Sequence, residues 1–411
     1  MGDYFDELER RAPAARDAQL LEALRRQLEH ARAQAPAMTE ALAAVDPAEI
    51  RDFADLARLP VTRKSEMHRL QSEEPPFGGF AAIAPGEAGR IFVSPGPIYE
   101  LEARDSHYGR MARAFFAAGF RRGELVHNSF AYHLTPGGWI MDAGARRLGC
   151  AVIPAGVGAS EQQAQAIAHL RPQGWCGTPD FLKVILDKGA ELGLDLSSIT
   201  KALVSGGALF PSLRQEYAER GITVRQCYAT AELGLIAYET EIDQGQVIDE
   251  EVILEIVRPG TGDPLPAGEV GEVVVTSLNP AYPLIRFATG DLSLLLEEPS
   301  PCGRTNRRIK GWMGRADQTA KVRGMFVRPE QIAAVLRRHP EIRKARLEIA
   351  RAGESDVMLL RCEAEGAPEG LTKAIAGSLQ GETGLRGEVE LAAPGSLPND
   401  GKVIDDRRSY E

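Results

Sequence analysis

Apolar residues in the first part of the chain recur every three or four positions. The clearest set, with Arg and Glu in the positions between, is Leu20, Leu21, Leu24, Leu28 and Ala31. This spacing predicts amphipathic helices from Tyr4 to about Ala44. A further helix is predicted in LARLPVTRKSEMHRL, after a proline-marked break and entered through Thr62 or Ser65.

From Glu124 to Ala229 the pattern changes to short apolar runs that alternate with helix-length amphipathic segments. The runs are ELVHNSF, CAVIPA, GWCGT, KALVSGG and ITVRQCYA. This alternation predicts parallel strands joined by crossover helices. Because ligands of such sheets bind at the carboxyl ends of the strands, we expect the functional residues in the loops that follow them.

The remainder of the chain is predicted to be β-rich and then mixed. Strands EVILEIV, GEVVVTSL and LIRFATGDLSLLL are separated by Gly/Pro turns between Val252 and Glu297. After GWMGRADQ, the pattern predicts a small α+β unit with helices at Pro329–Arg338 and Leu371–Gln380 and strands at Lys344–Ala350, Asp356–Glu363 and Glu388–Ala392.

These elements predict an α/β protein in three parts. Residues 1–313 form a large N-terminal domain of parallel α/β sheets plus a small β-rich subdomain. Residues 314–324 form a hinge linker, and residues 325–411 form a small, mobile α+β domain. A chain of 411 residues is too long for one compact core, which agrees with more than one domain.

Composition excludes several classes of protein. A net charge of -10 and a pI near 5.4 disfavour general nucleic-acid binding, which needs a basic face. There is no apolar run of transmembrane length, and the acidic start MGDYFDELERR is not a secretory signal, so we expect no membrane association and a cytoplasmic location. The scattered cysteines form no C-x-x-C pair, and we expect Cys150 and Cys176 in the core.

Familiar catalytic motifs are incomplete or absent. GVGAS at Gly156 follows a strand but lacks the third glycine of a dinucleotide fingerprint, which disfavours a nicotinamide cofactor. The sequence has no G-x-S-x-G elbow and no Walker motif. In the loop FAYHLTPGGW, His133 beside Phe130 and Tyr132 is either a hydrogen-bonded loop residue or part of a site.

Four other segments contain candidate functional residues, and they are more informative together than singly. QCYATAELGL ends a strand with Tyr228, Thr230 and Glu232, which could serve a ring, a phosphate and a metal. RFATGDL is expected to place Asp291 in a tight β-turn, where it binds vicinal hydroxyls or caps the turn. GRADQTAKVRGMFVRPEQI is a basic, glycine-punctuated linker. Near the end, Lys402 in DGK is either a solvated hairpin tip or a cation that moves into a distant site.

In this order the four segments resemble the adenylate-forming superfamily, specifically phenylacetate–CoA ligases and their aryl-CoA ligase relatives. The resemblance runs from YFDELERR through LPVTRKSEM and PPFGGF to the terminus. It implies an enzyme of aromatic acid metabolism that uses ATP, Mg²⁺, coenzyme A and a small-molecule carboxylate. The carboxylate attacks the α-phosphate of ATP, giving an acyl-adenylate and pyrophosphate. The small domain then rotates, and coenzyme A takes the acyl group.

The resemblance also implies a role for individual residues. Lys402 reaches the carboxylate and the α-phosphate, and Glu232 holds Mg²⁺. The nucleotide-binding residues are Ser94, Gly96, Gly206, Gly207, Tyr228, Ala229, Thr230, Asp291 and Arg315. The acyl-substrate pocket is lined by Phe130, Tyr132, His133 and Ala208. Asp317 is the hinge, and the thioester step uses Lys321, Arg323 and Gly324.

The sequence departs from the family at three points. Where relatives carry a phosphate loop such as SSGTTG, this chain has VSPGPIYE, in which two prolines remove backbone N–H donors. YATAE replaces the family's Y-G-x-T-E, so Ala231 stands at the usual hydroxyl and Thr230 is its neighbouring stand-in. LIAYETE lacks the cysteine and histidine ligands of many relatives and only Cys302 remains near CGR, so we expect no zinc.

Three functions remain open. The first is an ATP-dependent acid–CoA ligase for an aromatic or arylalkanoic carboxylate. The second, motivated by the altered loop, is an acyltransferase or thioesterase-like relative that uses a preformed acyl-adenylate or acyl-CoA. The third is a non-catalytic paralogue that binds AMP or aryl-CoA, against which the retained Glu232, Asp291, Arg315 and Lys402 argue. A homodimer is left open as the assembly.

Overall fold

The computed structural model describes residues 4–104, 108–207, 209, 211–258, 261–313, 316, 320–323, 325–327, 329–352, 355–364, 366, 368, 370–398 and 402–408. The chain divides into two compact units, Met1–Met313 and Gly314–Glu411. Four sequence-predicted site residues lie outside the described residues: Ala208, Arg315, Asp317 and Gly324. The hinge assignment therefore stays a prediction.

The first unit begins with the expected helices, whose bounds are α1 Pro13–Gln34, α2 Pro36–Ala41 and α3 Lys64–Glu73. Helix α1 buries the face that carries Leu20, Leu24, Leu28 and Ala31, which confirms the helical reading. Strand β1, Thr62–Arg63, precedes α3 and pairs with a strand far along the chain. Because this pairing holds Thr62 in a strand, the predicted helix entry at Thr62 was wrong, and α3 begins at Lys64.

A two-stranded hairpin follows, formed by β2 Ala88–Ser94 and β3 Ile98–Ala103. Ser94 pairs directly with Ile98, so the connection is the exposed tripeptide Pro95-Gly96-Pro97. The segment expected to form an altered phosphate loop is therefore a tight hairpin.

The next elements are α4 Ala112–Ala117, β4 Leu125–Asn128, α5 Gly137–Leu148, β5 Ala151–Pro154, α6 Ser160–Leu170, β6 Gly174–Gly177, α7 Pro179–Glu191, β7 Lys201–Val204, α8 Pro211–Glu219, β8 Thr223–Thr230, β9 Gly234–Glu239 and β10 Gln246–Ile248.

The unit ends with β11 Val252–Val257, β12 Gly271–Ser277, β13 Phe287–Ser293 and β14 Arg308–Ile309. Within the described residues, the large sheet has the strand order β14-β10-β9-β8-β7-β6-β4-β5. Strands β4 to β8 run parallel, and β9, β10 and β14 extend the sheet in antiparallel fashion. The predicted strand–helix alternation is confirmed, and the loops after β4, β5 and β7 leave the same edge of the sheet.

A second sheet of the first unit has the order β1-β13-β12-β11. The Thr289-Gly290-Asp291 segment lies inside β13, so its predicted placement in a tight β-turn was wrong. Opposite it the strand register shifts between Glu272 and Val274, and Gly290 has a φ of 77°. A left-handed glycine lets the extra residues form a bulge, which redirects Asp291 without ending the strand.

The second unit carries β15 Ala320–Val322, β16 Met325–Val327, α9 Pro329–Arg338, β17 Ile342–Ala352, β18 Ser355–Ala364, α10 Leu371–Thr383, β19 Glu388–Ala392 and β20 Ile404–Asp406. Its described four-stranded sheet has the order β19-β18-β17-β20, and both longer helices pack in its core. The predicted α+β fold is confirmed; β15, β16 and β20 were not predicted. In the described part of the chain, no helix combines the length and the apolar character needed to cross a membrane.

Candidate active site

Two loops at the carboxyl edge of the large sheet bring predicted pocket residues together. Phe130 follows β4, and Gly206 and Gly207 follow β7. A methyl group placed on Gly206 would lie 3.8 Å from the Phe130 ring and 3.8 Å from the Thr178 side chain. Gly206 also has a φ of 73°, which favours glycine. Phe130 and Gly206 therefore lie side by side, as expected for neighbouring walls of a pocket.

The loop after β4 is fixed by hydrogen bonds. The Asn128 amide donates to the Tyr132 hydroxyl at 2.7 Å and to the Gly138 carbonyl at 2.9 Å. The Trp139 indole donates to the Tyr132 carbonyl at 3.1 Å, and the two rings meet edge to face at 5.1 Å. Burial raises the pKa of Tyr132, which stays neutral. His133 in the same loop is exposed, and its role in a pocket stays a prediction.

A hydrogen-bonded cluster surrounds Asp291. The Tyr228 hydroxyl donates to Asp291 Oδ2 at 2.8 Å and lies 3.0 Å from Thr289 Oγ1. The Trp312 indole donates to Asp291 Oδ1 at 3.1 Å. Asp291 is 8% exposed, whereas Trp312 is 55% exposed. The structure thus joins Tyr228 and Asp291, two predicted nucleotide-binding residues, and adds Trp312.

Sequence reasoning did not identify Trp312. In the structure it is an exposed tryptophan beside a buried carboxylate, an arrangement typical of a binding surface. Its backbone is fixed to the strand of Asp291: Met313 N donates to Leu292 O at 2.9 Å, and Ser293 Oγ donates to Gly311 O at 2.7 Å. The sequence signal that could have identified Trp312 is its position directly before GRADQ, which contains Arg315, a residue expected to bind the nucleotide.

The turn between β8 and β9 holds Glu232. The Thr230 hydroxyl accepts the backbone N–H of Leu233 at 3.2 Å, so this hydroxyl stabilises the turn. Ala229 precedes it in β8. The Glu232 side chain is fully buried, and its Oε1 lies 2.7 Å from the Lys64 ammonium. Lys64, the first residue of α3, was not among the predicted site residues because this ion pair joins distant parts of the chain.

The hairpin supplies a second buried carboxylate, which sequence reasoning also missed. Ser94 Oγ donates to Glu100 Oε1 at 2.5 Å, and Glu100 is 2% exposed. Burial, followed by repulsion from Glu232, raises the pKa of Glu100 to about 8. The Ser94 hydroxyl therefore donates its hydrogen bond within the hairpin. Because Pro95 and Pro97 have no N–H, the turn offers a phosphate the N–H of Gly96.

Whether a divalent cation fits can be judged from the oxygens of the two carboxylates. Glu100 Oε2 and Glu232 Oε2 are buried and have no hydrogen-bond partner among the described residues. The described residues contain no cluster of three or more His, Cys, Asp or Glu side chains that could hold a metal. Mg²⁺ commonly binds one or two carboxylates together with substrate phosphates and water, so this oxygen pair fits it.

In the second unit, Lys402 lies just before β20. Its ammonium is 3.5 Å from Asp405 Oδ1, and 44% of its side chain is exposed. Burial opposes ionisation of Asp405, but hydrogen bonds from Arg346 and Arg407 hold its pKa at about 2. Lys402 thus lies beside a carboxylate that also pairs with two arginines, and its catalytic role stays a prediction.

The predicted thioester-step residues lie on the β15–β16 hairpin of the second unit. Arg323 has a φ of 47°, and its backbone N–H donates to Asp356 Oδ2 at 3.2 Å. Its Nε donates to the Asp356 carbonyl at 2.8 Å. Lys321 lies in β15. These bonds tie the hairpin turn to β18, and the role of both residues stays a prediction.

Sequence comparisons place the chain among nucleotide-dependent enzymes. The profile of the AMP-binding enzyme family matches residues 109–281. The chain is 31% identical over 392 residues to the phenylacetate-coenzyme A ligase of Thermus thermophilus, covering 87% of each protein. It is 31% identical over 403 residues to that of Pseudomonas putida, covering 92% of this chain and 90% of the relative.

Structural comparison extends the likeness over almost the whole chain. The crystal structure of 2-hydroxyisobutyryl-CoA ligase with 2-HIB-AMP and CoA in the thioesterification state superposes with a TM-score of 0.75 at 26% identity, covering 99% of this chain and 93% of that one. Its postadenylation state with R3-HIB-AMP gives a TM-score of 0.74 at 27% identity and the same coverage. The predicted α/β fold of an adenylate-forming CoA ligase is confirmed.

Proposed function

Since the chain belongs to the phenylacetate–CoA ligase family of adenylate-forming enzymes, we propose that it activates an aromatic or arylalkanoic carboxylate with ATP and transfers the acyl group to coenzyme A. The site observation that carries this proposal is the cluster of Tyr228, Asp291 and Trp312 beside the glycine loop after β7. This cluster offers a carboxylate and two aromatic side chains, which are what a nucleoside needs.

We assign the ribose to Asp291 and the adenine to the surface near Tyr228. A ribose diol has two hydroxyl donors, and a carboxylate can accept both in a charge-assisted pair. The Trp312 N–H donates to Oδ1 of Asp291, so the diol competes with this N–H for that oxygen. Gly206 and Gly207 let the ligand approach the backbone because neither residue carries a Cβ.

We assign the acyl group to the surface formed by Phe130 and Gly206. An aromatic side chain beside a glycine suits a planar acyl group, and the hydrogen bonds of Asn128 and Trp139 hold the loop rigid. A difference of one methylene between two acids changes discrimination only modestly in an apolar pocket. The proposal therefore names a class of acid and not one acid.

The reaction has two steps. In the first, a carboxylate oxygen bonds to the α-phosphorus while the bond from this phosphorus to the bridging oxygen breaks, and pyrophosphate leaves. In the second, the thiol of coenzyme A loses its proton, its sulfur bonds to the acyl carbon, and AMP leaves. Because two anions meet in the first step, a fixed cation lowers the barrier, and we assign this role to Lys402.

Other groups complete this assignment. Mg²⁺, when bound through Glu232, neutralises charge on the phosphates. Arg315 joins Asp291 at the ribose, Asp317 acts as the hinge, and Lys321 and Arg323 serve the thioester step; these roles rest on the family resemblance. Thr230 uses its hydroxyl to hold the β8–β9 turn, so we assign it the positioning of Glu232.

One observation favours a second candidate function. The Pro95-Gly96-Pro97 turn lacks most of the N–H donors that hold the β- and γ-phosphates. An enzyme that accepts a preformed acyl-adenylate would not need them, because AMP has neither phosphate. The second candidate is therefore an acyl-adenylate:CoA acyltransferase.

Pyrophosphate release separates the two candidates. The protein is mixed with ATP, Mg²⁺ and, in turn, benzoate, phenylacetate, 3-phenylpropionate and acetate. We expect pyrophosphate release with at least one aryl acid, little with acetate, and thioester formation when coenzyme A is added. No pyrophosphate from any acid, together with thioester formation from a supplied phenylacetyl-adenylate, would favour the acyltransferase.

A further inference from the structure

Glu100 and Glu232 come from distant parts of the chain, and helix α3 connects them. At its start, Lys64 forms the ion pair with Glu232. Two helical turns later, on the same face, Gln71 exchanges two hydrogen bonds of 2.8 Å with the backbone of Tyr99, the residue before Glu100. Helix α3 thereby holds the Glu232 carboxylate through Lys64 and the backbone beside Glu100 through Gln71.

Neither carboxylate is fully satisfied within the described residues. Ser94 occupies one oxygen of Glu100 and Lys64 occupies one oxygen of Glu232. The second oxygen of each is buried without a hydrogen-bond partner in the part of the chain that is described. Unsatisfied buried carboxylate oxygens are unfavourable, and two such groups repel each other. A cation bound by both carboxylates would compensate for this cost.

We propose that Glu100 and Glu232 together hold one divalent cation, Mg²⁺ in the working enzyme, and we call this pair the two-carboxylate site. The inference rests on the proposed function in one respect, namely that the phosphates of ATP supply further ligands. Hard divalent cations take oxygen ligands, and Mg²⁺ in particular needs few from the protein when phosphates and water complete its shell. Glu100 is thus a metal ligand that compensates for the shortened loop.

The charges support this assignment. With a divalent cation bound, the two carboxylates and the Lys64 ammonium sum to one positive charge, which attracts a polyphosphate. The tight Pro95-Gly96-Pro97 turn has lost backbone donors and directs its Ser94 hydroxyl to Glu100. The hairpin therefore acts on the phosphates through a cation in place of N–H groups.

Manganese binding tests the two-carboxylate site without any turnover. Metal-free protein is titrated with Mn²⁺ and free Mn²⁺ is followed by electron paramagnetic resonance, with and without α,β-methylene-ATP. The test variant is Glu100→Gln, which keeps the shape and an acceptor for Ser94. The matched control is Glu102→Gln on the same strand, which is 8% exposed and paired with Arg90 at 2.6 Å.

We expect Glu100→Gln to weaken Mn²⁺ binding by about tenfold or more in at least one condition and Glu102→Gln to leave it unchanged. Mn²⁺ should raise the melting temperature of the wild type and of Glu102→Gln more than that of Glu100→Gln, which also shows that each variant folds. Equal Mn²⁺ affinity of wild type and Glu100→Gln in both conditions, or no Mn²⁺ binding to the wild type, would overturn the proposal.

The readout separates this inference from the proposed function. If the protein binds Mn²⁺ through Glu100 but releases no pyrophosphate with any acid, the two-carboxylate site is supported and the ligase function is contradicted. If the wild type releases pyrophosphate and Glu100→Gln binds Mn²⁺ as tightly as the wild type, the ligase function is supported and the two-carboxylate site is contradicted.

Discussion

At the level of single residues, Asp291 is the group on which the proposed nucleotide site depends most. Both its oxygens already receive hydrogen bonds, from Tyr228 and from Trp312, so its position is fixed before a ligand arrives. A preorganised charged acceptor binds a diol without first having to be ordered. The bulge at Gly290 directs this side chain, because an uninterrupted strand would orient it differently.

Asp291→Asn should weaken AMP binding by roughly ten- to a hundredfold, since hydrogen bonds to a charged group contribute about 1.5–3 kcal/mol. Isothermal titration calorimetry with AMP measures this change directly. Asp263→Asn is the control, because Asp263 is an exposed aspartate whose described partner is Thr261. An unchanged AMP affinity in Asp291→Asn would remove Asp291 from the nucleotide site.

Sequence reasoning missed Lys64, Glu100 and Trp312. Lys64 and Glu100 interact with Glu232 across long stretches of chain, for which no motif gave a signal, whereas Trp312 stands directly before GRADQ. Tyr228, Glu232 and Asp291 were predicted because they lie in short motifs. Motifs thus predict part of the candidate site, and tertiary contacts supply the other charges.

At the level of elements, the β2–β3 hairpin stands where the family resemblance predicts a phosphate loop. Direct pairing of Ser94 with Ile98 leaves no room for a loop that wraps around phosphates. Its contribution to ATP binding can be isolated by removing divalent cations, because the two-carboxylate site then cannot act.

In excess chelator, ATP should bind about as tightly as AMP, with at most a tenfold preference. AMP lacks the β- and γ-phosphates, so the ratio of the two dissociation constants measures what the hairpin adds. Competition against a fluorescent AMP analogue provides both constants in one assay. A preference for ATP of roughly a hundredfold, about 2.7 kcal/mol, would mean that other donors replace the missing ones.

The order of elements was predictable to a large extent. Alternating apolar runs and amphipathic segments gave β4 to β8 with their helices, because period and length distinguish buried strands from surface helices. The β-turn expected at Gly290 was wrong, since a glycine with positive φ serves a bulge as well as a turn. Strand β1 was missed because two residues carry no periodicity and its partner β13 is distant.

At the level of the whole molecule, the chain combines a net charge of -10 with anionic substrates. Binding of anionic substrates therefore depends on local cations, which in the proposed assignment are Lys402 and one divalent metal. The two compact units carry different parts of the assignment: nucleotide and acid in Met1–Met313, and Lys402, Lys321 and Arg323 in Gly314–Glu411. Under the proposed assignment, the first step uses Lys402 and the second step uses Lys321 and Arg323, all from Gly314–Glu411.

Transfer of oxygen from the acid to AMP is the most direct test of carboxylate attack on the α-phosphate. The acid that releases pyrophosphate is labelled with ¹⁸O at both carboxylate oxygens and incubated with ATP, Mg²⁺ and coenzyme A, and AMP is analysed by mass spectrometry. Attack of the carboxylate on the α-phosphate predicts one ¹⁸O in AMP for each thioester formed. Lys402→Ala should form labelled AMP at least about a hundredfold more slowly, yet make thioester from a supplied acyl-adenylate. Thioester formation with unlabelled AMP would exclude attack of the carboxylate on the α-phosphate.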